Sequence, residues 1–220
     1  MAPAAKLRAI IFDWDNTLVD SWPTIHAANN AALAAMGQVA WTMAESKVRV
    51  RKSMREAYPE LFGERWEEAR DIFYAHFRAR HLQELAVLAG RQKMLRAIAD
   101  VGIYMGVVSN KDGALLRAEV EHLGWLSFFG AVIGAGDAAR DKPAPEPIHL
   151  SLEPSNYAAD RQVWFVGDTD IDMECAAAAG VTPVLLREKL PGTGEFGHTP
   201  PELLFENGEK LCAFLGLAGN

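Results

Sequence analysis

The sequence predicts an α/β protein, a parallel sheet between layers of helices with an all-helical segment inserted after the first strand. Two patterns carry this. Five apolar runs, "LRAIIFDWD", "YMGVVSN", "FGAVIGAGD", "VWFVGD" and "VTPVLLRE", are short and near-continuous rather than alternating, as expected for parallel strands buried on both faces. Helical patterns lie between them, and strand alternating with helix gives a three-layer, Rossmann-like parallel sheet core.

In chain order, "LRAIIFDWD" is the first strand. Residues 22–88 then offer no convincing strand. Pro23 suits the first position of a helix, and Trp66, Ala69, Phe73 and Phe77 mark an apolar helical stripe. The expected organisation is a Rossmann-like core over residues 1–20 and 89–220 with an inserted helical domain over 21–88. After "YMGVVSN" comes the helical "GALLRAEVEHLG", and after "VWFVGD" comes "IDMECAAAAG"; each closes on a glycine, which takes a left-handed C-terminal cap at little cost. "KPAPEPI" and "EKLPGTGEFGHTPPE" are rich in proline and glycine and read as loops.

At 220 residues, half of them hydrophobic, the chain can bury a sizeable core and still carry an insert. It contains no 18-residue apolar span and no charged-then-apolar leader, so a soluble, cytoplasmic protein is expected. Cys175 and Cys212 have no metal-ligand spacing and read as reduced and buried. With 29 acidic against 22 basic residues the formal charge is −7, which disfavours broad attraction to nucleic acid or to anionic membranes. Oligomeric state stays open between monomer and homodimer.

Four polar sites fall at the carboxyl ends of predicted strands, where open α/β sheets gather ligands. They are Asp13 with Asp15 and Thr17, Ser109 with Asn110, Lys142, and Asp168 with Asp172. Carboxylates this close are tolerable if a hard divalent cation neutralises them, and a few carboxylates with water and substrate phosphate suit Mg²⁺. Alternation along an extended strand returns residue i+2 to the same side, so Asp13 and Asp15 can face one substrate. Singly, each residue has an ordinary reading, a solvated turn, a surface lysine or helix N-terminal acids; their joint order favours an active site.

The chain resembles the haloacid dehalogenase-like hydrolase superfamily, in particular its phosphoglycolate phosphatase-like branch with a helical cap. "DWDNT", "VVSN", "DKPAPEP" and "VGDTDID" look like that family's four motifs in the right order, and the likeness covers roughly residues 6–20 and 90–190. Asn16 stands where that branch commonly has glycine. The resemblance implies a Mg²⁺-dependent phosphatase for a small phosphorylated metabolite, such as phosphoglycolate or a sugar phosphate. By that likeness Asp13 is the nucleophile and Asp15 the general acid and then base. Lys142 and Ser109 would meet the charge of the transferring group, with the amides around Asn110 and Trp14 as backbone donors, while Thr17 braces the loop. Mg²⁺ would be held by Asp13, the carbonyl of Asp15, and Asp168, with Asp172 orienting the lysine or a metal-bound water. Members that cleave carbon–halogen bonds, or carbon–phosphorus bonds through a cap lysine, lack an acid at the position of Asp15. A phosphomutase of the same superfamily needs no different core residues and stays open, as does a non-catalytic phosphate- or partner-binding protein.

Weaker signals complete the reading. "GAGDAA" satisfies a dinucleotide-type pattern, but the prolines after it cannot open the long helix such a site needs. The six histidines show no zinc spacing. Arg49, Arg51, Lys52 and Arg55 gather cations in the cap; a solvated helix face paired with nearby glutamates is the favoured reading, with Arg51 and Lys52 the candidates for binding an anionic group of the substrate in the other.

Overall fold

The fold was obtained as a computed structural model, which describes residues 7–50, 52–189 and 191–217. The first strand, β1 (Ala9–Phe12), is fully buried along its length, and alternation divides it. Ile10 and Phe12 join the hydrophobic cluster on one sheet face, Ala9 and Ile11 the cluster on the other. A strand that feeds two cores has no polar face, which is why its sequence is a continuous apolar run.

The chain then leaves the sheet through β2 (Val19–Asp20) into four helices, α1 (Trp22–Ala35), α2 (Met43–Arg49), α3 (Met54–Phe62) and α4 (Trp66–Arg78). Helix α1 starts one residue before Pro23, which therefore occupies the second helical position rather than the first. Thr42 and Glu45 cap α2 reciprocally, the Thr42 amide donating to Glu45 Oε2 at 2.8 Å and the Glu45 amide to Thr42 Oγ1 at 3.2 Å. Ala69, Phe73 and Phe77 of α4 are buried, and with Ala28, Ala32 and Tyr58 they build a separate small core beneath the helices. Leu115 of the sheet domain joins that core, so the two parts pack against each other.

One short strand lies inside the stretch expected to be wholly helical. β3 (Ala86–Val87) pairs antiparallel with β2, Val19 opposite Val87. A two-residue ribbon is too short to show a period in sequence. It holds the chain's exit and return side by side at the rim of the sheet.

From there strand and helix alternate: α5 (Arg91–Asp100), β4 (Tyr104–Asp112), α6 (Gly113–His122), β5 (Ala131–Ala135), α7 (Glu146–Leu152), β6 (Val163–Gly167), α8 (Asp170–Ala179) and β7 (Thr182–Leu186). β8 (Leu203–Phe205) and α9 (Gly208–Phe214) end the described chain. The six-stranded sheet runs β5-β4-β1-β6-β7-β8, every pairing parallel. β1 sits between β4 and β6, so the chain builds outward on one side and then returns to build on the other. This reversal opens a crevice at the carboxyl ends of the central strands. Cys175 and Cys212 are buried and unpaired. No helix among the described residues is long and apolar enough to cross a membrane.

Candidate active site

The loop after β1 carries Asp13, Trp14, Asp15, Asn16 and Thr17 into that crevice. Asn16 adopts a left-handed φ of 64°, a conformation that asparagine tolerates better than most residues and glycine better still. That explains how asparagine fills a position where glycine is common. Thr17 is fully buried; its hydroxyl makes a long contact of 3.4 Å to Asp168, and its carbonyl accepts from Arg91 Nε at 2.7 Å.

Lys142 enters from the loop after β5 and is buried with its ammonium between two carboxylates. It lies 2.6 Å from Asp13 Oδ1 and 2.8 Å from Asp172 Oδ1. Asp172 is in turn fixed by its own helix start, since its Oδ2 accepts from the amides of Asp168 and Thr169 at 3.2 and 3.0 Å and from the Thr169 hydroxyl at 2.8 Å. Gly167 is required beside it, because a Cβ there would lie 2.3 Å from the Asp172 side chain.

The electrostatics are unbalanced. Oxygen atoms of Asp13, Asp168 and Asp172 lie within 4.8 Å of one another; the Lys142 ammonium contacts two of the three carboxylates, and Arg187 lies near Asp168, donating to its backbone carbonyl at 3.1 Å. Burial pushes the Asp13 carboxyl up to about 7 and the Asp168 carboxyl well above its usual range; Asp172 raises both further, and Lys142 opposes the rise in each. A crowded, all-oxygen set with excess negative charge fits a hard divalent cation, which would neutralise it.

Asp15 stands apart from this cluster. Its carboxylate forms an ion pair with Lys111 at 2.7 Å. Ser109 and Asn110, expected just after the second strand, lie within β4, where its register shifts beyond Val108; Ser109 is buried, and its hydroxyl accepts from the Lys111 amide at 3.1 Å. The Asn110 side chain is spent on the backbone of Lys142, accepting from its amide at 3.0 Å and donating to its carbonyl at 3.1 Å. Asn110 thus clamps the lysine loop to β4. One donor and one acceptor of its side-chain amide are thereby engaged with that loop.

Above these residues a cavity of ≈ 740 Å³ opens between the sheet and the helices, lined from below by Asp13, Asp15, Ser109, Lys142 and Asp168, from the helices by Trp22, Tyr58 and Phe73, and from the α1–α2 loop by Trp41. Arg49 and Lys52 also line it. Lys52 is half-exposed, 3.4 Å from Glu60, and Arg49 is 3.8 Å from Glu45. Arg55 instead reaches the sheet domain and grips Asp141 through two contacts of 2.5 and 2.6 Å. Arg51 lies outside the described residues.

Sequence reasoning passed over Lys111, Glu119, Arg91 and the Arg55–Asp141 pair. Two had a signal. Lys111 is two residues beyond Ser109 on an extended strand, hence on the same side. Glu119 occupies a core-facing position in the apolar stripe that Leu115, Leu116 and Val120 define, where a charge needs a partner.

A parallel α/β sheet with acids and a lysine gathered at its switch point is a ligand-binding arrangement, and comparison with known proteins gives the enzyme class. The profile of the haloacid dehalogenase-like hydrolase family matches residues 10–186. The chain belongs to that family. Among its relatives, a phosphoglycolate phosphatase of Cereibacter sphaeroides is 30% identical over 216 residues, covering 90% of this chain and 98% of that protein. A phosphoglycolate phosphatase of Xanthomonas campestris is 32% identical over 181 residues, covering 80% and 81%. In three dimensions a haloacid dehalogenase-like family hydrolase from Streptococcus pneumoniae superposes with a TM-score of 0.83 at 20% identity, over 96% of this chain and 99% of that one.

Proposed function

We propose that this protein is a Mg²⁺-dependent phosphatase that hydrolyses a small phosphorylated metabolite, of the phosphoglycolate or sugar phosphate kind, through an aspartyl-phosphate on Asp13. The observation that carries the reading is the buried Asp13–Lys142–Asp172 arrangement beside Asp168, at the floor of the cavity. The names of the relatives, phosphoglycolate phosphatases at 30% and 32% identity, support it.

In the proposed reaction an Asp13 carboxylate oxygen attacks phosphorus and the ester P–O bond breaks, while Asp15 gives its proton to the departing alkoxide. Asp15, now ionised, then takes a proton from water as that water attacks the aspartyl-phosphate; the bond to Asp13 breaks and the carboxylate returns. Lys142 and the Ser109 hydroxyl meet the negative charge that spreads over the transferring group. Asp13, Asp168 and the Asp15 carbonyl would hold Mg²⁺, which supplies charge neutralisation for nucleophile and phosphate alike. Asp172 keeps Lys142 aimed at Asp13. Helices over residues 21–88 act as the cap that excludes bulk water, which strengthens every charge interaction beneath it. For a carboxylate or second anionic group of the substrate the candidates remain Arg51 and Lys52, and Arg49 and Lys52 are cavity-lining cations that support this.

Asp13→Asn, which removes the nucleophile at nearly constant volume, tests the reading: phosphate release should vanish while the fold persists. Retention of more than a few per cent of activity would contradict the role of Asp13.

A further inference from the structure

Beneath Asp15 runs a buried chain of charged and polar side chains that the phosphatase mechanism does not use. Lys111, with 4% of its side chain exposed, places its ammonium 2.7 Å from Asp15 Oδ1 and 2.6 Å from Glu119 Oε2. Glu119, from α6 and 1% exposed, also accepts from Trp14 Nε1 at 2.7 Å and meets His81 Nδ1 at 2.8 Å. His81 follows the last helix of the cap and stacks on Phe77, and the Lys111 ammonium lies 5.1 Å from the Phe77 ring centre. The chain therefore runs from the exit of the cap, through α6, to the loop between Asp13 and Asp15.

Its geometry is one-sided. Asp15 Oδ1 is buried, and among the described residues the Lys111 ammonium, 2.7 Å away, is its charged partner. Lys111 is itself immobilised by Glu119, and Glu119 by Trp14 and His81. A buried ion pair of this kind contributes little net stability compared with apolar packing of the same volume. What it contributes here is placement: Asp15 and Lys111 both line the cavity, so the network sets their ion pair at the cavity wall, with Glu119 behind it.

We infer that Lys111, locked by Glu119, is a positioning residue that holds the Asp15 carboxylate in the orientation needed to deliver a proton to the leaving group. The inference rests on the reading of Asp15 as the acid in a phosphatase. A carboxylate free to turn about its side-chain bonds would spend most of its time misaligned, and a misplacement of about 1 Å can cost on the order of 100-fold in rate.

The test uses the dependence of rate on the leaving group, which a loss of general stability would not change. Lys111→Met leaves Glu119 charged and buried and could unfold the chain, so the double variant Lys111→Met/Glu119→Gln, which removes both charges, is measured beside it and beside Asp15→Asn. Each is assayed for kcat/KM on the alkyl phosphate that the unaltered protein hydrolyses fastest and on 2,4-dinitrophenyl phosphate, whose phenolate leaves without a proton. The expected result is a fall of about 10- to 100-fold on the alkyl ester and less than about threefold on the aryl ester, with KM nearly unchanged, in the double variant as in Asp15→Asn. Equal losses on both esters in the double variant, with Asp15→Asn still discriminating, would overturn the role of Lys111 alone. Equal losses in Asp15→Asn would remove Asp15 as the acid, and the inference with it. An unaltered protein that releases no phosphate from either ester would remove the phosphatase reading itself.

Discussion

Asp13 carries a conflict that the fold creates and the chemistry needs. Its folded pKa of about 7 lies above the ordinary 3.8. Between those values the folded state holds a proton that the unfolded chain has released, so this group's contribution to stability is lost as pH rises through that window. Asp168, raised by burial with the like charges of Asp13 and Asp172 adding to it, behaves in the same direction. A divalent cation binds the ionised forms and must displace these protons, so its binding strengthens as pH rises. Mg²⁺ should therefore raise the melting temperature more at pH 8 than at pH 5, and Asp168→Asn should remove most of that gain. A Mg²⁺ effect independent of pH, or one unchanged in Asp168→Asn, would place the cation elsewhere.

Among the elements, α3 and the loop before Lys142 make the most specific contact between helices and sheet. Arg55 grips Asp141 through two nitrogens, and Asp141 also accepts from the Gly136 amide at 3.1 Å. Arg55 is part-exposed while Asp141 is buried, so solvent weakens the pair and the expected cost of Arg55→Ala is about 1 kcal/mol. Because Asp141 precedes Lys142, that loss should loosen the cap over the site: KM should rise at least about threefold, with α3 exchanging its amide protons faster. An unchanged KM would mean the pair has no part in closure. Strand β6 gives a contrasting case. Phe165 is fully buried at the sheet's centre, and Phe165→Ala should cost about 3–5 kcal/mol in denaturant unfolding without selecting among substrates; a cost under 1 kcal/mol would mean that the site collapses onto the cavity.

At the scale of the whole molecule, the parallel sheet and the gathering of the four polar motifs at one edge of it were legible in the sequence because each depends on local pattern. Continuous apolar runs mark strands buried on both faces, and the carboxyl end of each run delivers its polar residue to one edge. β2 and β3 were not legible, being two residues each, nor was β8, three residues behind a proline-rich loop. The network of Lys111, Glu119 and His81 escaped for a different reason. Its partners meet only after α6 and the end of the cap pack together, and Trp14 and Glu119 stand 105 residues apart. Cap cations behaved likewise: sequence grouped Arg49, Arg51, Lys52 and Arg55 as one cluster, whereas packing sends Arg55 to Asp141 and leaves Arg49 and Lys52 at the cavity, with Arg51 outside the described residues.

The central claim, metal-dependent phosphoester hydrolysis by Asp13 beneath a cap, is tested most directly by inorganic phosphate release with and without Mg²⁺. The panel should contain phosphoglycolate, sugar phosphates and nucleoside monophosphates, with the Asp13→Asn protein as blank. The account predicts release that requires Mg²⁺, is confined to one class of small phosphorylated metabolite, and is absent from the blank. Silence across the panel from a folded, Mg²⁺-loaded protein, or equal release by Asp13→Asn, would contradict it.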